Sequence, residues 1–160
     1  MIVRRLALLV MLTSLSVIGS LIKIPFTLGS IALDSAPAVV AALLVGPRFG
    51  GIVAFVGHLA SSLFGGFPLG PLHLLVAVEM GLLLYVVGML AKRGWKKASA
   101  LIFFIGNTLF VPLPFVFLIS PAFVLSILPS LSLATAINLA IAIFVVPMLE
   151  KAMTRNERHA

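Results

Sequence analysis

The sequence predicts an all-α integral membrane protein built as a bundle of six transmembrane helices. Hydrophobic residues make up 62% of the chain and charged residues only 9%, which is too little polar surface to coat a soluble globule of 160 residues. The few charges fall in short clusters between long apolar runs, and no charged residue occurs from Ala98 to Leu149. Because each span needs roughly 20 apolar residues, the chain has room for one transmembrane domain, residues 1–160.

The first predicted helix covers residues 5–22 and follows the basic pair Arg4 and Arg5. Its serine, threonine and glycine residues form a face of small side chains, which lets another helix approach closely in lipid. That face either packs within the bundle or docks on a separate subunit. A loop follows, with Pro25 and Gly29 as helix breakers.

The second predicted helix, residues 34–45, is short and opens with Asp34. A carboxylate here either caps the free amides of the first turn or contacts a ligand, and the two roles are compatible. The turn Gly46–Arg48 leads into the third helix, residues 49–63, which carries His58. A histidine inside a membrane is costly unless it faces a cavity or a partner, so His58 is either functional or bonded to a neighbouring helix.

The Phe64–Pro71 loop is too rich in glycine and proline to be helical. Irregular backbone at membrane depth is tolerated where protein covers it or where it lines a water-filled site, and its two phenylalanines suit a lid over a flat apolar ligand. The fourth helix, residues 72–90, carries His73 near its start and Glu79 about 9 Å farther in. A charge on Glu79 is expensive inside a span, so this residue must be paired, protonated or hydrogen-bonded.

A basic loop, Ala91–Lys97, leads into the long uncharged stretch. This stretch is too long for one helix and predicts two, residues 99–119 and 129–150, with prolines supplying the kinks and the turn. Asn107 and Asn138 lie near the middles of these two helices. The tail that follows is polar, and we expect it to be soluble.

The basic residues predict the orientation of the bundle. Six spans place the N-terminus, the Gly46–Arg48 turn, the Ala91–Lys97 loop and the C-terminus on one side of the membrane. That side then holds every lysine and arginine except Lys23. The positive-inside rule therefore predicts that both termini are cytoplasmic.

Polar side chains from four helices converge on the opposite, outer side. Together with the phenylalanines of the Phe64–Pro71 loop, they predict an outward-open cavity for a small, partly aromatic ligand with several hydrogen-bonding groups. We expect neither a cofactor nor a metal ion. The candidate substrate-binding residues are Asp34, His58, Phe64, Phe67, Leu69, His73, Glu79, Asn107 and Asn138.

Other classes of protein fit the sequence less well. The chain has no cysteine, hence no disulfide and no thiolate metal site, and its short basic clusters form no solvated face for nucleic acid. An enzyme is not expected, because His73 and Glu79 lie about 240° apart on their helix and no nucleotide loop or serine-nucleophile motif is present. A channel or an ion-driven secondary transporter independent of ATPases, with Glu79 as proton carrier, remains an alternative.

Four stretches of the chain together resemble a known family. They are the Arg-rich start of the first helix, the segment Leu44–Gly51 (LVGPRFGG), the Gly57-His58 pair, and the basic loop before the fifth helix. In these features the chain resembles the S component of energy-coupling factor (ECF) transporters, the small membrane subunit that captures a vitamin or related micronutrient. The resemblance implies six helices in the cell (plasma) membrane of a prokaryote.

The resemblance also implies how the protein works. In that family, substrate binds at the outer side beneath the loops that join helices 1–2 and 3–4, and helix 1 docks on a coupling transmembrane subunit driven by two ATPases. The gating positions implied in the two loops are Lys23, Pro25, Thr27, Gly66 and Pro68. The implied docking positions are Ala7, Met11 and Ser14, although only half of the family's Ala-x-x-x-Ala pattern is present, because Met11 replaces the second alanine.

Two motifs indicate a ligand within the family. Gly57–Ala60 (GHLA) and Gly66–His73 (GFPLGPLH) are most similar to the group assigned to α-ribazole, the nucleoside salvaged for the lower ligand of cobalamin. The resemblance therefore implies high-affinity capture of α-ribazole. Its flat dimethylbenzimidazole suits Phe64 and Phe67, and its ribose hydroxyls suit the polar candidates. Another vitamin or precursor, such as pantothenate, thiamine or a queuosine precursor, would also find partners here.

Overall fold

A computed structural model describes residues 2–26 and 29–157, which form a helical bundle with one short β-hairpin. Counted with the interrupted stretch 96–118 as one segment, the described chain has six helical segments, which confirms the helical class predicted from the sequence. A π-helix, Gly106–Phe110, lies between the fifth and sixth helices. The elements are α1 Ile2–Leu21, β1 Lys23–Phe26, β2 Gly29–Ala32, α2 Ser35–Leu44, α3 Pro47–Phe64, α4 Leu72–Lys92, α5 Lys96–Ile105, α6 Phe115–Leu118 and α7 Pro121–Glu157.

Helix α2 is the centre of the bundle. It packs against α1, α3, α4 and α7, and its residues Ala38, Val39 and Ala41 are at most 1% exposed. With 10 residues it is about 15 Å long, so it is only about half as long as a bilayer core is thick. Its alanines and valines let the surrounding helices approach closely, which is how helices pack where the hydrophobic effect gives no drive.

Glycines hold α3 tightly between its neighbours. A Cβ added to Gly50 would lie 2.7 Å from the Cα atom of Ala42 in α2, and one added to Gly88 of α4 would lie 2.6 Å from the Cα atom of Pro47. Real Cβ atoms do not approach other atoms so closely, so both contacts depend on the absence of a side chain. Gly50 and Gly88, although glycine is a poor helix former, are therefore packing residues here.

The connection between α1 and α2 differs from the irregular loop expected. Its residues form an antiparallel hairpin in which Lys23 faces Ala32 and Phe26 faces Gly29. Pro25 is tolerated because a two-stranded ribbon has open edges. The Leu33 N–H donates to Gly19 O at 3.1 Å and fastens the hairpin to α1.

The boundaries predicted for the last two helices were wrong. The predicted helix 99–119 begins earlier, at Lys96, and is interrupted. The Val111 N–H donates to Gly106 O in π register, and Pro112 and Pro114 have no N–H with which to continue the hydrogen bonds of an α-helix. The predicted helix 129–150 begins at Pro121 and runs to Glu157. Proline at a first helical position costs no hydrogen bond, and Pro129 lies inside α7 since transmembrane helices tolerate proline.

Three helices in the described part of the chain are long and apolar enough to cross a membrane. They are Leu72–Lys92, Lys96–Leu118 and Pro121–Met153. Shorter apolar helices cover Leu6–Leu21 and Ser35–Leu44. The length and composition of the observed helices therefore support three of the six spans predicted from the sequence.

The basic loops lie together at one end of the bundle. Lys96 Nζ lies 3.2 Å from Glu150 Oε1, so the α4–α5 loop reaches the C-terminal part of α7. The contact of Gly88 with Pro47 brings the α2–α3 turn to the same end. We call this the basic end, defined by Arg48, Lys92, Arg93, Lys96 and Lys97. The hairpin and the α3–α4 loop lie at the opposite end.

Candidate functional site

A cavity of about 500 Å³ opens at the end opposite the basic end. Its wall combines the start of α2, the last turns of α3, the α3–α4 loop, the first turns of α4, the interrupted stretch around Pro112, and α7. The lining residues are Ala32, Asp34, Ser35, His58, Ser61, Ser62, Gly65, Pro68, Leu69, His73, Val76, Met80, Asn107, Val111, Pro112, Phe115, Phe123, Ile127, Leu131, Ala134, Thr135 and Asn138.

The lining divides into a polar and an apolar part. Carboxylate, imidazole, hydroxyl and amide groups come from α2, α3, α4, the π-helix and α7. Among the residues whose side chains the structure describes, no lysine or arginine lines the cavity, and Asp34 is the one carboxylate. The described part of the lining therefore offers hydrogen bonds and one acidic group, and it contributes no lysine or arginine to neutralise an anion.

Two histidines form a hydrogen-bonded pair at the cavity wall. His58 Nε2 lies 3.3 Å from His73 Nδ1, and the two ring centroids are 5.4 Å apart. The Leu69 backbone N–H donates to His73 Nε2, also at 3.3 Å. His73 is buried, and its two bonds join the α3–α4 loop to α3. Of the two interpretations of His58 from the sequence, the bond to a neighbouring helix is observed, whereas a functional role at its position in the lining stays a prediction.

Asn138 ties three elements together. Its Oδ1 accepts from Ala36 N–H at 2.7 Å, and its Nδ2 donates to Ala32 O at 2.7 Å and to Ala134 O at 2.8 Å. Both amide hydrogens and one oxygen lone pair are thus used by the fold. Asn138 positions the start of α2 and the end of the hairpin against α7, and its direct contact with a substrate stays a prediction.

Asp34 does not cap α2, so the capping role weighed for it was wrong. Its backbone lies in the right-handed helical region (φ −79°, ψ −27°) and its carboxylate makes no cap hydrogen bond. An N-cap side chain folds back onto the helix from an extended backbone, which Asp34 lacks. Asn138 satisfies the Ala36 amide instead, and Asp34 lines the cavity, where Ser35 Oγ donates to its Oδ1 at 3.2 Å.

The π-helix places Asn107 in the lining. Its Nδ2 donates to Thr135 Oγ1 at 2.7 Å, and the Thr135 hydroxyl donates to Leu131 O, also at 2.7 Å. This chain of bonds joins the interrupted stretch to α7. The Asn107 Oδ1 has no partner in the described part of the chain and is therefore an unused acceptor on a residue of the lining.

The structure brings together only some of the residues singled out in the sequence. Asp34, His58, Leu69, His73, Asn107 and Asn138 line one cavity, as does Pro68 of the implied gating positions. Phe64, Phe67 and Gly66 lie outside the lining. Phe64 is 57% exposed, and Phe67 packs edge-on against His73 with centroids 5.8 Å apart. Thr27 lies outside the described residues.

Glu79 also lies outside the cavity. His73, Val76 and Met80 face the cavity from α4, and Glu79 is rotated about 100° from Met80 around the helix. It lies on the flank of α4 where Leu83, one turn farther, packs against Gly106. Its Oε2 is enclosed and has no hydrogen-bond partner among the described residues.

Several residues that line the cavity were not among those predicted from the sequence. Ser61 and Ser62 follow His58 by three and four residues, and Thr135 precedes Asn138 by three, so helical spacing was the available signal. The apolar residues of α7 in the lining, such as Ile127 and Leu131, carry no such signal, because apolar residues occur on every side of α7.

Helix α1 has two different faces. Ser16, Gly19 and Ser20 are buried, and Ser16 Oγ donates to Asp34 O at 2.5 Å. This part of the small face packs within the bundle. The implied docking positions Ala7, Met11 and Ser14 are exposed.

The family comparison covers almost all of this architecture. The model of the family described as "ECF transporter, substrate-specific component" matches residues 4–150. No curated protein and no solved structure matches the chain. Members of the family are membrane-embedded, substrate-binding subunits of transporters that act on small molecules with the ECF module, and they are not enzymes. With its match from the first helix into α7, the chain belongs to the family of ECF transporter substrate-specific components.

Proposed function

We propose that the 500 Å³ cavity is the substrate site of this ECF component and that its substrate is α-ribazole. The observation that carries the proposal is the cavity itself, which gathers Asp34, His58, Asn107 and Thr135 from four separate elements. Cavities of about 300–1,000 Å³ suit ligands of drug-like size, and a nucleoside belongs to this class.

The two parts of the lining suit the two parts of α-ribazole. Apolar side chains from α4, α6 and α7, such as Met80, Phe115 and Ile127, offer a wall for the flat dimethylbenzimidazole. The polar part offers an acidic acceptor at Asp34 and amide or hydroxyl groups at Asn107 and Thr135 for the ribose hydroxyls. A ligand with one apolar and one hydroxyl-rich half fits this division.

The charge of the lining favours some of the alternative ligands over others. Pantothenate is an anion, and burying its carboxylate beside Asp34 is costly in a lining whose described residues include no lysine or arginine. Thiamine is a cation and an aminomethyl queuosine precursor carries a positive charge, so both are compatible with Asp34. α-Ribazole is neutral and carries no such penalty.

We propose that the bundle crosses the plasma membrane of a prokaryote six times, with both termini in the cytoplasm. The gathering of Arg48, Lys92 and Lys96 at the basic end supports this orientation, because positive charge is enriched on the cytoplasmic side. Helix α2 is too short to cross the membrane alone, and in this proposal the hairpin that precedes it spans the remaining thickness of the membrane. The cavity then faces outward.

Two connections gate the cavity in this proposal. The hairpin contributes Ala32 to the lining, and the α3–α4 loop contributes Gly65, Pro68 and Leu69. Lys23, Pro25, Thr27 and Gly66 belong to the same two connections. The exposed face of α1, with Ala7, Met11 and Ser14, would dock on the coupling transmembrane subunit that two ATPases drive.

Calorimetric titration of the detergent-purified chain with α-ribazole tests the ligand. We expect tight binding of the nucleoside and weaker binding of dimethylbenzimidazole and ribose alone, because each fragment fills only one part of the lining. Absence of nucleoside binding would refute the assignment of α-ribazole. Accumulation of the nucleoside in vesicles that contain only this chain, driven by an ion gradient, would favour the secondary-transporter alternative and contradict the need for ATPases.

A further inference from the structure

The hydrogen-bonded pair of His58 and His73 has a definite proton arrangement. A neutral imidazole has one N–H and one acceptor nitrogen, whereas an imidazolium has two N–H groups and accepts nothing. The Leu69 backbone N–H can only donate, so His73 Nε2 must accept its bond. His73 therefore carries its proton on Nδ1.

The arrangement of His58 follows from that of His73. Because His73 Nδ1 carries the proton, it donates across the 3.3 Å contact to His58 Nε2, which accepts. The reverse direction would require His73 to accept at both ring nitrogens, which a neutral imidazole cannot do. His58 then carries its own proton on Nδ1.

The Nδ1–H of His58 is open to the cavity. His58 lines the cavity, and its one hydrogen-bond partner among the described residues is His73. Among the described residues, Glu79 Oε2 is the one side-chain polar atom that is both enclosed and without a hydrogen-bond partner. His58 Nδ1 also has no partner there, and because it does not belong to this class, it is not enclosed by protein. The histidine pair thus presents a donor to the ligand, in the same lining as the acceptor Asp34.

We infer that His73 is a positioning residue for substrate recognition: it fixes the Nδ1–H tautomer of His58, so that the cavity selects a ligand with a hydrogen-bond acceptor facing His58. This inference rests on the proposed role of the cavity as the substrate site. The unsubstituted ring nitrogen of a benzimidazole nucleoside is such an acceptor. A site with a committed donor rejects an analogue that lacks the acceptor, because the donor is left unpaired.

Nitrogen NMR of the histidine-labelled full chain in detergent, at pH 8 and without ligand, tests the tautomers. We expect both His58 and His73 to carry the proton on Nδ1, although free histidine prefers Nε2–H. In the variant His73→Phe we expect His58 to change to Nε2–H, and in His73→Asn, whose side-chain amide can donate from nearly the position of Nδ1, to keep Nδ1–H. The variant His159→Gln identifies the signal of the third histidine.

Two results would overturn the inference. One is a His58 proton on Nε2 in the parent chain, and the other is an unchanged Nδ1–H signal in His73→Phe, which is what a merely structural His73 would give. These spectra are recorded without ligand, so they test the tautomers of the two histidines even if α-ribazole fails to bind. Failure of α-ribazole to bind would count against the proposed ligand alone.

A pair of ligands tests the consequence for selectivity. The probes are α-ribazole and the riboside of dimethylindole, in which a C–H replaces the acceptor nitrogen. We expect the parent chain to bind α-ribazole at least about tenfold more tightly than the indole analogue, and His73→Phe to bind the two within about threefold of each other. Equal binding of the two probes by the parent chain would contradict the inference.

Discussion

Replacement of Asn138 by leucine should destabilise the fold more than any other single polar change in the cavity wall. Asn138 is 2% exposed, and its amide serves Ala36 N–H and Ala32 O, which lie 102 and 106 residues away in sequence. The amide of Ala36 lies in the first turn of α2 and has no partner within its own helix. Leucine keeps the branched shape and the number of side-chain heavy atoms, although its methyl groups are bulkier, and it leaves both backbone groups without the side-chain partner.

The expected loss can be worked out from these two groups. Each buried backbone group left unpaired costs about 1–3 kcal/mol, so Asn138→Leu should lower the free energy of unfolding by about 2–6 kcal/mol. Ala134 O adds little, since it keeps its own bond within α7. A loss of this size is a large fraction of the about 5–15 kcal/mol that stabilises a typical domain.

Equilibrium unfolding in mixed detergent micelles, followed by circular dichroism, measures this loss. Asn107→Leu is the matched control, because Asn107 makes a single hydrogen bond to a Thr135 hydroxyl that keeps its bond to Leu131 O. We expect the control to lose about 0.5–1.5 kcal/mol. Equal losses in the two variants, or a loss below about 1 kcal/mol for Asn138→Leu, would refute the role assigned to Asn138.

Three further predictions concern the carboxylates Asp34 and Glu79 and the helix packing. Asp34→Asn should weaken α-ribazole binding by about tenfold in calorimetry, because Asp34 lines the cavity. Glu79→Gln, outside the lining, should change the affinity less than about twofold. A larger effect of Glu79→Gln than of Asp34→Asn would show that the site is misplaced. Glu79→Met should raise the free energy of unfolding by about 1–3 kcal/mol, because the enclosed Oε2 has no partner among the described residues, and an unchanged or lower value would contradict this account. Gly50→Val should prevent the contact with Ala42 and reduce the yield of folded protein in size-exclusion chromatography, whereas Ile52→Val, at an exposed position, should not.

Local sequence signals predicted the first four helices well, but not the bounds of the last two. Apolar runs and basic clusters are properties of neighbouring residues, and they placed α1 to α4 within a few residues of the observed bounds. Prolines were ambiguous, because the same residue ends one helix at Pro112 and lies inside another at Pro129. The sequence alone does not distinguish the two cases.

The site was predicted in part, for a related reason. The polar residues of a mostly apolar chain are conspicuous, so His58, His73 and Asn107 could be selected from composition alone. The hydrogen-bond partners of the polar residues could not be predicted in this way. Those of Asn138, for example, lie about a hundred residues away in sequence. Glu79 was selected for its charge, but the rotation of α4 turns it away from the cavity, and only the orientation of the helix in the bundle reveals that.

A pair of alanines on α7 gives the most direct test of the claim that this cavity binds the substrate. Ala134 lines the cavity, whereas Ala136, two residues farther along the same helix, is exposed. A tryptophan at position 134 would occupy the space proposed for the ligand, and one at position 136 would point away from the bundle. Calorimetric titration of the parent, Ala134→Trp and Ala136→Trp with α-ribazole should show binding that is unchanged in Ala136→Trp and weakened at least about a hundredfold in Ala134→Trp. Parent-like binding by Ala134→Trp would contradict the assignment of the cavity.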